Sequence, residues 1–144
     1  MKLFDTSVLI DARDSASPFQ AWAEAAIAKA VSTEGGAVNA VALAEAGVRS
    51  DAPAKLPGML ESWGLELLPL PVSAAQPAAA AYRTYLDRRK AAGTPTDAKM
   101  PQPDFFIGAH AAAEGLTLVT RDPARINRIF PALLSRHLSK PCPP

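Results

Sequence analysis

Apolar residues along this chain come in two rhythms, short unbroken runs and longer stretches spaced at three and four, and the two rhythms alternate. The run over 2–4 reads as a buried strand. Val8-Leu9-Ile10, following Asp5-Thr6-Ser7, places a strand-to-helix turn at the first acid. Phe19, Trp22, Ala26, Ile27 and Ala30 share one side of a helix predicted over 18–32, with Ser17 as N-cap and Pro18 in the first helical position. Gly35-Gly36 ends that helix. A second strand is expected over 37–41 and a helix over 42–48, which puts Glu45 about one turn in. Pro53 and Pro57 punctuate the next link, ahead of a short helix over 59–63. A third strand over 65–70 stops at Pro69 and Pro71. A long helix over 73–91 tolerates Pro77 because the first turn has no intrahelical donors to lose. Residues 93–103 read as a loop. Asp104 then opens a helix that Gly115 closes, a fourth strand spans 116–120, and a short helix covers 124–130. Residues 136–144 read as a loose tail.

Alternating strands and helices predict an α/β fold with a parallel sheet covered on both faces. At 144 residues the chain suits one domain, taken here as 1–135, with no internal repeat or linker. The net charge of +1 excludes a strong general field for nucleic acid, so a phosphate-bearing partner must be held by local patches. Arg83, Arg88, Arg89 and Lys90 form one basic helix end, and Arg121, Arg125 and Arg128 another. Either set suits phosphates or solvated helix ends. A single cysteine, Cys142, rules out an intrachain disulfide. The start carries no signal-peptide pattern and no run approaches membrane-spanning length. A soluble, cytoplasmic protein without membrane partners is expected.

Four acids stand out in this arrangement: Asp5, Glu45, Asp104 and Asp122. In parallel sheets ligands bind beyond the carboxyl ends of the strands, and Asp5 and Asp122 follow two such ends. Each acid also has a plainer reading. Asp5 and Asp104 suit helix caps, Asp122-Pro123 suits a turn or a helix start, and Glu45 could belong to a polar helix face. Glu45 fits that reading least well, because Leu43, Ala44, Ala46 and Val48 surround it and an acid among apolar residues usually has a partner. Converging carboxylates would repel one another. A pair about 4 Å apart costs roughly 4 kcal/mol at an effective dielectric near 20. An all-carboxylate set without histidine or cysteine selects hard ions, Mg²⁺ or Mn²⁺, over zinc. Such ions can activate water and offset charge on a phosphoryl group. His110, mid-helix among alanines, is expected to pack or face solvent, and His137 falls in the tail. A phosphate-binding Gly-rich loop and a Gly-x-Ser-x-Gly turn are both absent.

The segments around the acids resemble a known family. Leu3-Phe4-Asp5-Thr6-Ser7-Val8-Leu9-Ile10-Asp11 resembles the start of PIN-domain proteins, and Ala42-Leu43-Ala44-Glu45-Ala46-Gly47-Val48-Arg49 their second acidic region. Pro103-Asp104-Phe105-Phe106-Ile107-Gly108-Ala109-His110-Ala111 is similar to the third. Leu118-Val119-Thr120-Arg121-Asp122, with Arg125, Ile126 and Phe130-Pro131, is similar to the last. The likeness runs from Lys2 to about Pro131 and is greatest to VapC-type toxins of bacterial toxin–antitoxin pairs. It implies a PIN-like three-layer α/β/α fold with four to five parallel strands, and a metal-dependent endoribonuclease. Asp5, Glu45 and Asp104 would bind Mg²⁺ or Mn²⁺, and Asp122 would complete the acidic pocket directly or through water. Thr6 and Thr120 match positions where the family places a hydroxyl near the cluster, and Ser7 stands where many relatives carry Asn. Arg121 and Arg125 would meet RNA phosphates. The likeness also implies a homodimer and a small antitoxin partner. Leu60, Trp63, Leu65 and Leu68 are candidates for a dimer face or, more commonly, for the core.

Two other functions fit parts of the pattern. A PIN-like fold that binds nucleic acid or protein without hydrolysis suits the near-neutral charge. A phosphohydrolase with Asp5 as nucleophile lacks the second Asp two residues on, where Ser7 stands.

Overall fold

A computed structural model of the chain describes residues 1–93 and 102–134. The expected tail, and all but the two ends of the expected loop over 93–103, lie outside these residues, as do His137 and Cys142. Strand β1 (Lys2–Phe4) leads into helix α1 (Thr6–Arg13) and then α2 (Gln20–Thr33). Strand β2 (Gly36–Asn39) is followed by α3 (Ala40–Val48), a 3₁₀ turn at Pro53–Lys55 and α4 (Leu56–Ser62). Strand β3 (Leu65–Leu68) leads through a second 3₁₀ turn into α5 (Ala75–Ala91) and α6 (Gln102–Glu114). Strand β4 (Thr117–Val119) precedes α7 (Pro123–Ile129) and α8 (Pro131–Leu134).

The four strands form a parallel sheet in the order β3-β2-β1-β4, within a three-layer α/β/α architecture. Leu3 pairs with Ala37 on one side and Leu118 on the other. Strands β1, β2 and β4 are short and mostly buried, so they read as near-continuous apolar runs, whereas β3 keeps only Leu65 fully buried and exposes Glu66. The chain builds outward from β1 to β3, then crosses back to place β4 on the other side of β1. The order therefore reverses beside β1, and the crevice at the carboxyl ends of β1 and β4 is where such a sheet takes its ligand. The Asp5 backbone N–H donates to the Val119 carbonyl at 2.9 Å, which locks the exits of these two strands together.

Several boundaries differ from the sequence reading for local reasons. Ser17 does not cap α2. Its hydroxyl donates to Asp11 Oδ1 at 2.8 Å and accepts from the Phe19 N–H at 3.1 Å, and α2 begins at Gln20 without a side-chain cap. Asp11 is 2 % exposed, and a carboxylate so buried requires donors. Strand β2 ends at Asn39 because that side chain accepts from the Ala42 N–H at 2.9 Å, so that α3 starts two residues earlier than expected. Asp104 is the third residue of α6 rather than its cap. Gln102 and Pro103 precede it inside the helix, where the missing proline N–H costs nothing. Leu60 and Leu65 are buried core residues, with Trp63 and Leu68 packed against the same core. His110 is buried as well, its Nδ1 3.3 Å from Asn39 Nδ2, and burial pushes its pKa down, in keeping with a neutral ring.

Helix α6 is tied down on two faces. Tyr82 and Tyr85 of α5 pack their rings against Phe105 at 5.1 and 5.4 Å. On the other side Phe130 lies directly over Gly108, where an added Cβ would come within 2.5 Å of its ring. Alanine ordinarily gains about 1 kcal/mol over glycine in a helix. Gly108→Ala is nevertheless expected to destabilise the fold by about 1–2 kcal/mol, because overpacking outweighs that gain. Urea denaturation measures the sign directly, and a stabilised variant would show that Phe130 yields freely.

Candidate functional site

Asp5 leaves β1 in extended conformation and caps α1, its Oδ1 accepting from the Thr6 N–H at 2.8 Å. Its Oδ2 accepts from the Ser7 hydroxyl at 2.9 Å and the Thr120 hydroxyl at 2.7 Å. The cap reading and the site reading of Asp5 thus hold together. One carboxylate closes a helix start and is aimed, by hydroxyls from two chain segments, at the crevice. Thr120 stands just beyond β4 and is almost fully buried, and its hydroxyl also accepts from the Asp122 N–H. Thr6 turns the other way, donating to Glu45 Oε2 at 2.6 Å. Glu45 reaches the crevice from α3, whose start is fixed by the Asn39 cap.

Asp5, Glu45 and Asp104 line one cleft of about 360 Å³, together with Thr6, Ser7, Ile10, Val48, Arg49, Arg121 and Arg125. Asp122 lies outside that lining. It is exposed, caps α7 by accepting from the Arg125 N–H at 3.0 Å, and lines an adjoining depression that Asp5, Asp104, Arg121 and Arg125 share. None of Arg83, Arg88, Arg89, Lys90 or Arg128 lines either hollow. Arg88 instead donates to the Arg128 carbonyl at 3.0 Å, joining α5 to α7.

The two arginines proposed for phosphates each hold a carboxylate. Arg121 Nη1 lies 2.9 and 3.2 Å from the two oxygens of Asp11, its guanidinium sits over the Phe19 ring, and its backbone N–H donates to the Ser7 hydroxyl. Arg125 pairs with Asp104 through Nη2 and Oδ2. Asp11, which steadies Arg121 from outside the cleft lining, was not singled out from its place in the sequence. The signal was present, since Asp11 stands between Ile10 and Ala12 in the same way that Glu45 stands between alanines.

Burial pushes the Asp104 pKa up to about 6. The charges of Asp5 and Glu45 add to that rise, while Arg125 opposes it. The acids therefore feel one another across the cleft. As they stand, no three His, Cys, Asp or Glu side chains among the described residues are grouped so as to hold an ion. Arg125 pairs with Asp104, and Thr6 donates to Glu45. The chemistry of the set still fits a hard divalent cation. Its donors are carboxylate oxygens backed by hydroxyls, and it gathers negative charge that one arginine does not remove.

The PIN-domain family matches residues 2–129. No curated protein is significantly similar to the chain. Among solved structures, VapBC2 from Rickettsia felis bound to a promoter DNA fragment is similar at TM-score 0.69 and 18% identity, covering 98% of each chain. DNA-bound VapBC from Salmonella typhimurium is similar at TM-score 0.62 and 22% identity, again over 98% of each chain. FitAcB from Neisseria gonorrhoeae matches at TM-score 0.59 and 22% identity over 96% of each chain. At these identities the likeness is one of fold.

The raised pKa of Asp104 has a consequence for stability. An acid whose folded pKa exceeds its unfolded value contributes stability below the unfolded pKa and loses it as pH rises through about 6. In chelator, Asp104→Asn is expected to gain about 1 kcal/mol relative to the parent chain between pH 5 and pH 7.5, after allowing for solvent at the cleft mouth. Urea melts at the two pH values test this, and a constant difference would mean that Asp104 titrates as in the unfolded chain.

Proposed function

The chain belongs to the PIN-domain family, and on that premise we propose that it is a divalent-cation-dependent endoribonuclease, the toxin of a toxin–antitoxin pair. The observation that carries this reading is the meeting of Asp5, Glu45 and Asp104 at the carboxyl end of the sheet, in a cleft with arginines on its wall. These acids would hold Mg²⁺ or Mn²⁺, with Asp122 at the edge of the set. When bound, such an ion lowers the pKa of water and offsets charge on a phosphoryl group.

The chain's own residues have definite parts in that reading. Ser7 and Thr120 hold the Asp5 carboxylate toward the cleft, and Thr6 holds that of Glu45. Fixing these oxygens in advance reduces the rearrangement needed on loading, as second-shell donors do in metal sites generally. Arg121, steadied by buried Asp11, presents a half-exposed guanidinium to a backbone phosphate. Arg125 stands beside the acids and serves the same purpose once free of Asp104. RNA is the substrate class, as the family resemblance implies.

The partner reading is supported by the structural neighbours, among them DNA-bound VapBC complexes and a toxin-antitoxin complex from Klebsiella pneumoniae. A small antitoxin is proposed for this chain too, along with a homodimer. No helix among the described residues is long and apolar enough to cross a membrane.

Cleavage of total RNA by the purified chain in Mg²⁺, and its loss in chelator, tests the activity. Asp5→Asn is expected to lower the rate by more than the roughly 10- to 100-fold typical of second-shell changes, and Thr6→Val to fall within that range. Growth arrest on expression should follow the same order. If Asp5→Asn cleaves RNA as well as the parent chain does, the reading fails. RNA binding without cleavage in any cation would instead favour a non-hydrolytic binding module.

A further inference from the structure

The cleft holds an arrangement that the proposed activity does not require. Among the cations on its wall, Arg121 is committed to Asp11, an acid outside the cleft lining. Arg49 lines the cleft from the end of α3. Arg125 alone among these pairs with one of the three cleft acids, Asp104. Its backbone is fixed at the start of α7 by the Asp122 cap, while its side chain remains about a third exposed, at 37%. Asp104 is far more enclosed, with its side chain 11% exposed. A buried carboxylate facing two others thus meets a cation whose side chain has open solvent to move into.

We propose that Arg125 is an internal counter-ion of the acidic cleft: it occupies Asp104 until a divalent cation displaces it, and it thereby sets the concentration of cation at which the site loads. The inference rests on Asp5, Glu45 and Asp104 being the ligands. The physical logic is a competition for one carboxylate. Without a cation, three acids share the cleft, and the guanidinium relieves one of the two buried ones, Asp104. A doubly charged ion touching carboxylate oxygens directly interacts more strongly than one arginine reaching across from a neighbouring helix. Loading would therefore exchange one partner of Asp104 for another and free the guanidinium beside the cleft. Asp122 takes part as the residue that anchors Arg125, which gives this exposed acid a role whether or not it touches an ion.

Mn²⁺ binding to the full chain, followed by titration calorimetry and by the rise in thermal midpoint, separates the possibilities without reference to catalysis. Arg125→Gln is expected to tighten Mn²⁺ binding by about three- to tenfold. Arg49→Gln removes a charge from the same cleft without releasing Asp104, and is expected to change affinity less than about twofold. Asp104→Asn should weaken binding and abolish the gain from Arg125→Gln in the double variant. If Arg125→Gln leaves affinity unchanged, or Arg49→Gln tightens it equally, the counter-ion role is overturned while the metal reading stands. If neither the parent chain nor any variant binds Mn²⁺, both fall.

Discussion

Like charge brought to one end of a sheet is the constraint around which this protein is arranged. Asp5, Glu45 and Asp104 arrive from different segments and share a cleft, where burial and mutual repulsion raise the Asp104 pKa to about 6. Carboxylates cannot be gathered in this way without compensation. Each has been given some: a helix start and two hydroxyls for Asp5, one hydroxyl for Glu45, and a guanidinium for Asp104. The remaining imbalance is what the proposed cation would neutralise.

The compensation depends on topology. Because β4 returns to the far side of β1, Thr120 at the exit of one strand reaches Asp5 at the exit of the other. A sheet built outward in one direction only would leave those two exits apart. The backbone link from Asp5 to Val119 and the Ser7 link to Arg121 hold the same junction closed. The apolar core beneath serves this geometry as well. Gly108 lets Phe130 close over α6, the helix that carries Asp104.

In a nearly neutral chain, the proposed phosphate-bearing substrate would have to be met by local arginines. Two of the three arginines that line the cleft, Arg121 and Arg125, are paired with acids. Arg121 is held against buried Asp11 and the Phe19 ring, so its position is set before any ligand arrives. Arg125 is held less firmly, by a partner with other claims on it. Two arginines four residues apart thus stand in different physical situations, one structural in its anchoring and the other exchangeable.

The sequence by itself determined the alternation of strands and helices and the family to which the chain belongs, and it named the three acids that line one cleft together with Asp122, which lies beside it. Short buried strands and helical spacing are local signals, and acids among apolar residues such as Glu45 announce a partner before the partner is known. Helix starts were less legible, because capping depends on what else a side chain can reach. Ser17 looked like a cap until folding brought it to Asp11, and Asn39 capped α3 from the end of a strand. Asp11 itself carried a signal as good as that of Glu45, but its partner lies 110 positions away, in the loop after β4. Only the tertiary structure decided that Asp122 caps α7 beside the cleft, that Arg121 belongs to Asp11, and that Arg125 belongs to Asp104. The reason is that a charge's partner is chosen by distance and burial in the folded chain, and neither is written in the spacing of residues along it.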